Sequence, residues 1–286
     1  MSEAKAIHER KHVWRDEFLL IISLCAFVGI VYFVDGALQP QFTPTTLTLT
    51  GVFLALVPAA IWLIFFYLQD RAEPEPKGFV LGVFVLGAIL AAAIGAPVVD
   101  NLFRVSHWMP NNALTTILGG ILVIGFTQEF LKYAAVRYSI YNSSEFDEPT
   151  DGVIYATAAG LGYATVLNIN FVVSNGGVDL GTGILRIAVV ALAQAAFSGI
   201  TGYFLGRAKF ESEHIWWMPL GITLAAVFNG LFNWLLSVVT RPSITLGGVD
   251  SNTWLGLVLA AAVAFTTTGI ILWLVRQNLK TAQAGK

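Results

Sequence analysis

The chain has 286 residues, of which 56% are apolar and only 12% charged. Soluble domains carry roughly 25% charged residues, so a water-soluble globular protein is excluded and a multi-spanning membrane protein is implied. The formal net charge of -2 adds nothing further, because membrane orientation depends on where lysines and arginines sit and not on their sum.

Apolar length predicts an all-α polytopic protein of about eight transmembrane helices, at about 18–38, 46–68, 78–99, 113–139, 152–174, 182–205, 216–239 and 253–275. Residues 18–275 then form one helical transmembrane domain between short tails, 1–17 and 276–286. A transmembrane barrel would instead show alternating segments of about ten residues. The first run follows Asp16 and Glu17, exceeds a usual signal core and lacks a small-x-small cleavage site, so it reads as a span and not as a cleaved leader. The lone cysteine, Cys25, lies within that run and permits no intrachain disulfide.

With the N-terminus cytoplasmic, that side receives Lys5, Arg10, Lys11, Arg15, Arg71, Lys77, Arg207, Lys209, Arg276, Lys280 and Lys286. The other side receives only Arg104, Arg186 and Arg241. This asymmetry predicts an integral protein of the cytoplasmic membrane with both termini inside. Trp14, Trp108, Trp216, Trp217 and Trp254 fall near span ends, as an interfacial belt does.

Three connections on the cytoplasmic side stand out. Asp70-Arg71-Ala72-Glu73-Pro74-Glu75-Pro76-Lys77 has two prolines that prevent a continuous helix. Residues 142–152 form the most acidic loop, and Arg207 to His214 is short and of mixed charge. All three read as solvated connections, and Asn101 to Asn112 and Pro242 to Asn252 as polar loops on the other side. Small residues, among them Gly160, Gly162, Gly199, Gly202 and Gly206, suit close helix packing in a bilayer. With no large extramembrane domain, the expected partners are lipid and other transmembrane segments, not nucleic acid.

The strongly polar groups at membrane depth are Gln128, Glu129 and Lys132 in the fourth span, Asn168 and Asn170 in the fifth, Gln194 and Ser198 in the sixth, and Asn229 and Asn233 in the seventh. Glu129 and Lys132, three residues apart, share a helical face, and a charge facing hydrocarbon costs at least about 2.5 kcal/mol. The pairs in the sixth and seventh spans are spaced i, i+4. A polar core shared by spans four to seven follows. Its simplest role is structural, because buried amides hold membrane helices together through donors and acceptors alike.

Two chemistries fail the inventory. Zinc takes three or four ligands from Cys, His, Asp and Glu, yet His8, His12, His107 and His214 all lie outside the predicted spans, and Glu129 is the one carboxylate deep in spans four to seven. Ser198 has no base on its own span, and Lys132 would have to be free of Glu129 to activate it.

The motifs resemble those of the PrsW-type intramembrane metalloproteases, relatives of the CAAX-processing membrane proteases. Asp70 to Pro76 is similar to that family's Asp-Arg and Glu-Pro-rich linker, and Phe146 to Tyr155, running on to Gly160-Leu161-Gly162-Tyr163, to its acidic loop and glycine-rich helix. The resemblance implies a zinc site built from a Glu-Glu-x-x-Lys motif, a Phe-x-x-x-Glu-Asn motif and histidines on two later helices. Position by position, Gln128-Glu129-Phe130-Leu131-Lys132 keeps the second acid and the lysine. Tyr163 to Asn168 keeps the asparagine but has Leu167 where glutamate belongs. Gln194 and Asn229 stand at the histidine positions.

Each motif therefore keeps its frame and lacks a group that would ligate or activate. The residual positions are Gln128, Glu129, Lys132, Leu167, Asn168, Gln194 and Asn229, with no catalytic set, no bound cofactor and an incomplete zinc ligand set expected. The leading reading is a noncatalytic, pseudoprotease-like protein acting as a subunit, assembly factor or client-binding scaffold of a membrane complex. The alternatives are an active intramembrane protease using Glu129 as general base, and a proton- or ion-coupled carrier, the last disfavoured by the absence of repeats and interrupted helices.

Overall fold

The computed structural model describes residues 3–38, 42–69, 75–177, 180, 182–239, 243–245 and 248–250, together with 255, 258, 259, 261–263, 266 and 267. Helix α1 spans Glu3–Leu38 and α2 Pro44–Gln69. Helix α3, Lys77–Leu90, continues through π-helical turns Ala91–Gly95 and Pro97–Leu102, and a short α4, Val105–Trp108, follows. Helix α5, Ala113–Gly119, runs through a π-helical stretch, Gly120–Gly125, into α6, Phe126–Arg137. Helices α7, Pro149–Ser174, α8, Thr182–Phe210, and α9, Trp217–Val239, complete the bundle. Beyond α9, β1 (Ser243–Thr245) and β2 (Gly248–Asp250) form a small antiparallel pair, with Ile244 opposite Val249.

Among the described residues, six helices are long and apolar enough to cross a membrane: Pro44–Ile64, Lys77–Trp108, Ala113–Arg137, Pro149–Ser174, Gly183–Phe210 and Trp217–Val238. The protein is thus an all-α integral membrane protein. Of the expected first span, Ile22–Leu38 is a shorter apolar part of α1. The expected eighth span, 253–275, lies for the most part outside the described residues, although Leu259, Ala261 and Val263 pack against the main core.

Two expectations are corrected. Residues 101–112 are not a polar loop: the π-helical turn carries to Leu102, and Arg104 then breaks the helix with a left-handed backbone (φ 49) before α4 begins. Nor are the spans uninterrupted, since both the third and the fourth contain π-helical stretches, which widen a helix locally and recur at functional sites. Asn112 restarts the chain as a capping box, its Oδ1 accepting from the Thr115 N–H at 2.9 Å while its own N–H donates to Thr115 Oγ1 at 3.2 Å.

Helix α8 is the centre of the molecule: 83% of its most apolar window is buried, against 22% for Lys77–Trp108. Its Ile184, Leu185, Ile187, Ala188 and Leu192 join Leu24 and Val28 of α1, Ala59 and Trp62 of α2, and Phe232 of α9 in one core. Helix α7 has the most extensive contact with α8 and packs on its other side against α3. Glycine makes both approaches possible. A methyl group at Gly160 would lie 2.0 Å from Ser198 Oγ, and one at Gly162 would lie 1.9 Å from the Phe84 carbonyl oxygen. Such contact lets dispersion and hydrogen bonding replace the hydrophobic drive that a bilayer cannot supply.

The acidic loop is exposed at Asn142, Ser144, Asp147 and Glu148, as expected of a solvated connection, but it is also anchored to the bundle. Phe146 is buried, stacking on Tyr155 and Phe210 at 6.1 and 6.2 Å between centroids. Lys209 donates to the Phe146 carbonyl, and the Asp151 carboxylate accepts from the backbone N–H groups of Asp147 and Glu148 at 2.8 and 2.6 Å. Pro149 opens α7, where its missing N–H costs nothing. The hydroxyl of Tyr155 donates to Glu75, tying the described end of the proline-rich linker to α7. The 207–214 connection is likewise built: Arg207 pairs with Glu211 and Glu213 and lies over the Trp217 ring. Nearby, burial among aromatic rings pushes the Tyr141 phenol up, against the opposing pull of Arg137.

Candidate functional site

The site forms where α6, α8 and α9 meet. On α6, Gln128, Glu129 and Lys132 are buried, with Glu129 and Lys132 at 0% exposure. The π-helical stretch ending at Gly125 sets that face against α9: Gly120 abuts the Gly230 backbone, and a methyl group at Gly125 would lie 2.4 Å from the Ala226 carbonyl oxygen. Glycine at those positions lets short amides on α9 reach α6.

The side chains close a ring. The Lys132 ammonium donates to Glu129 Oε1 at 2.6 Å and, across the α6/α8 interface, to Gln194 Oε1 at 2.7 Å. Gln194 Nε2 donates to Gln128 Oε1 at 2.8 Å. Asn229 Nδ2 donates to both Gln128 Oε1 and Glu129 Oε1 at 2.9 Å. The orientations are forced by chemistry, because an ammonium only donates. Gln194 must turn its oxygen to Lys132 and its NH2 to Gln128, which leaves Gln128 an acceptor for Asn229 as well. Asn233 Nδ2 then donates to Asn229 Oδ1 at 2.8 Å. The ring holds one carboxylate and one ammonium, so it is neutral as a unit, the condition under which buried charges are tolerated.

Of the residues expected in a shared core, Gln128, Glu129, Lys132, Gln194, Asn229 and Asn233 come together, while Ser198 of α8 and the two asparagines of α7 do not. Asn168 is fully buried but donates to the Ile187 carbonyl at 3.1 Å, away from the ring. Leu167 packs with Ala91, Leu131 and Tyr163, and Asn170 is exposed. Ser198 donates to the Gln194 carbonyl at 2.6 Å and presses on Gly160, so it serves the α7/α8 contact. Asn233 is exposed, one turn from the buried Asn229. The residue missed from sequence is Thr201, buried on α8, whose Oγ1 lies 3.5 Å from Glu129 Oε2. Its spacing of seven from Gln194 places it on the same face, and that periodicity was its available signal.

Chemically, the ring has one acid, one base and neutral amides. Among the described residues no group of three or more His, Cys, Asp or Glu side chains is placed to hold a metal ion. The oxygens of Glu129 and Gln194 converge on the Lys132 ammonium.

Comparison with known proteins places these residues in a family. The PrsW family intramembrane metalloprotease profile matches residues 75–268. The chain is similar to Protease PrsW of Geobacillus kaustophilus (strain HTA426), 31% identical over 193 residues that cover 67% of this chain and 82% of the relative. Protease PrsW of Halalkalibacterium halodurans is 30% identical over 183 residues, 64% of this chain and 81% of the relative. That of Bacillus subtilis (strain 168) is 26% identical over 188 residues, 65% and 82%. No solved structure matches.

Proposed function

We propose, from the premise that the chain belongs to the PrsW family of intramembrane metalloproteases, that it is a member acting by binding and not by cleavage: a subunit, assembly factor or client-holding scaffold for other transmembrane segments. The observation that carries this reading is the double engagement of Lys132. Its ammonium is bonded to Glu129 and to Gln194 at 2.6 and 2.7 Å. It thereby neutralises the one acid of the ring and takes up the oxygen of Gln194, the residue at one of the family's histidine positions.

The family's description implies a metal, and the donor set does not fit one. Zinc is held by thiolate, imidazole or carboxylate. This site offers a single carboxylate, already paired with an ammonium, and carboxamides at Gln128, Gln194 and Asn229 that are used up in bonds to one another.

Copurification in mild detergent tests the reading. A stoichiometric transmembrane partner or client is expected; recovery of a lone polypeptide in every mild detergent, with no client bound, overturns it.

One observation favours the enzymatic alternative. Glu129 Oε2 has only the long 3.5 Å contact from Thr201, so this oxygen could accept a proton from water, as a general base must. The names of the relatives point the same way. Cleavage of a transmembrane substrate by the purified protein, abolished by Glu129→Gln, would establish that alternative. A carrier remains the third reading, supported by the π-helical interruptions and tested by ion flux in proteoliposomes.

A further inference from the structure

A second cation at membrane depth lies away from the ring. Arg186 stands four residues into α8, about 6 Å along the helix from its start. That is the end of the bundle opposite the acidic 142–148 loop, because α7 and α8 run antiparallel and the loop precedes α7. The guanidinium lies flat on Phe171, its central carbon 3.8 Å from the ring centroid. The residue is half-buried, and its Nη1 is buried with no hydrogen-bond partner. Among the described residues the ion pairs are those of Lys132 with Glu129 and of Arg207 with Glu211 and Glu213, and none of them involves Arg186.

An arginine near the end of a membrane-spanning helix is costly unless its charge reaches the interface or meets an anion there. Stacking on Phe171 satisfies one face of the guanidinium and fixes its plane, leaving the in-plane N–H fork to take a ligand. That fork matches the paired oxygens of a phosphate. Three residues inside the end of the span Gly183–Phe210, an arginine side chain is long enough to reach the interface, where phospholipid headgroups lie. Neighbouring Asn168 cannot supply the anion: it is fully buried and offers only a carboxamide oxygen.

We propose that Arg186, held in plane by Phe171, is a binding site for the phosphate of an anionic phospholipid headgroup at the α7/α8 end of the bundle. The site is separate from the Glu129–Lys132 ring and does not depend on whether the protein cleaves or only binds its clients.

The test uses the purified full-length protein in a neutral detergent, titrated with phosphatidylglycerol, phosphatidylcholine or inorganic phosphate. Bound lipid is counted by native mass spectrometry, and the melting temperature is followed in parallel. The wild type is expected to retain phosphatidylglycerol in preference to phosphatidylcholine and to be raised in melting temperature by it. Arg186→Gln should lose about tenfold or more in that affinity. Arg186→Lys should keep the cation and part of the binding, and Phe171→Leu should weaken it. Arg104→Gln, which alters an exposed arginine outside the site, should leave binding unchanged.

Equal retention of phosphatidylglycerol by the wild type and a folded Arg186→Gln variant overturns the proposal. So does an effect reproduced in full by inorganic phosphate, which would make the site one for a soluble anion. Absence of preferential phosphatidylglycerol retention by the wild type overturns it too.

Discussion

Lys132 Nζ lies 2.7 Å from Gln194 Oε1, a contact between α6 and α8 made by residues 62 positions apart in the chain. It converts an intrahelical ion pair into a tie between helices. Glu129 and Lys132 alone would fix only α6; with Gln194 and Asn229 added, the same charges orient three helices and specify the direction of every amide in the ring.

Removing members of the ring should therefore cost unequal amounts. Glu129→Ala strips the buried ammonium of its counter-charge and is expected to destabilise the protein by about 3 to 5 kcal/mol. Gln194→Leu removes a neutral acceptor and donor and should cost about 1 to 3 kcal/mol. Replacing both charges, Glu129→Leu with Lys132→Met, should recover most of the loss, since an apolar pair of similar volume carries no desolvation penalty. Thermal and denaturant unfolding in detergent measure all three. A Glu129→Ala variant as stable as the wild type would refute the structural role of the pair.

The glutamine at position 128 sets the charge balance. Its oxygen already accepts from Gln194 and Asn229 at 2.8 and 2.9 Å, so Gln128→Glu keeps both bonds and changes almost only the charge. The ring would then hold two carboxylates against one ammonium. A loss of about 2 kcal/mol or more is expected at neutral pH, read as a lower melting temperature. Restoring imidazole as well, with Gln194→His and Asn229→His, should let the variant take up zinc and recover stability on its addition. Elemental analysis of the triple variant beside the wild type decides whether the frame of the family's site persists under the altered side chains.

Much of the fold was legible because a bilayer leaves few options: long apolar runs gave most helices to within a few residues, and most strongly polar side chains in those runs face inward, with Asn170 and Asn233 the exposed exceptions. Gln128, Glu129, Lys132, Gln194 and Asn229 were found on that logic alone. The misses have local causes. Asn168 looked equivalent to them, yet α7 presents it to the Ile187 carbonyl. Helical spacing says which residues share a face but not which neighbour that face meets. The acidic loop read as solvated because its polar sequence hides Phe146, a single anchor with no periodicity to betray it. The π-helical turns left no pattern either, since Ala91–Gly95 and Gly120–Gly125 keep the apolar character of the spans they interrupt.

The Phe146 anchor gives a prediction of its own. Three elements hold the 142–148 loop: the stack of Phe146 between Tyr155 and Phe210, the Lys209 bond to its carbonyl, and the Asp151 cap. Phe146→Ala should cost about 3 to 5 kcal/mol locally, and Lys209→Ala less. Both should make this loop the first site of limited proteolysis while leaving melting of the remaining bundle little changed. Cleavage elsewhere first, or a loop as resistant as the wild type's, would show that these contacts do not hold it.

Gly160 and Gly162 on α7 separate close packing that involves a side chain from close packing against backbone alone. At Gly160 the added methyl meets the side chain of Ser198, at 2.0 Å from Oγ and 2.8 Å from Cβ, and more distantly the Gln194 carbonyl oxygen at 2.9 Å, so shortening Ser198 relieves only part of the clash. At Gly162 it meets the Phe84 carbonyl oxygen and carbon, at 1.9 and 2.9 Å. A side chain can be shortened and a backbone cannot. Both Gly160→Ala and Gly162→Ala are expected to destabilise by about 1 to 3 kcal/mol or more through overpacking. Adding Ser198→Gly should return a substantial part of the loss at Gly160 and none at Gly162, since Ser198 does not lie on the α3 side of α7. Melting temperatures of the two single and two double variants give the comparison. Equal rescue at both positions would mean that α7 shifts as a rigid body and that the contacts at Gly160 and Gly162 are not independent.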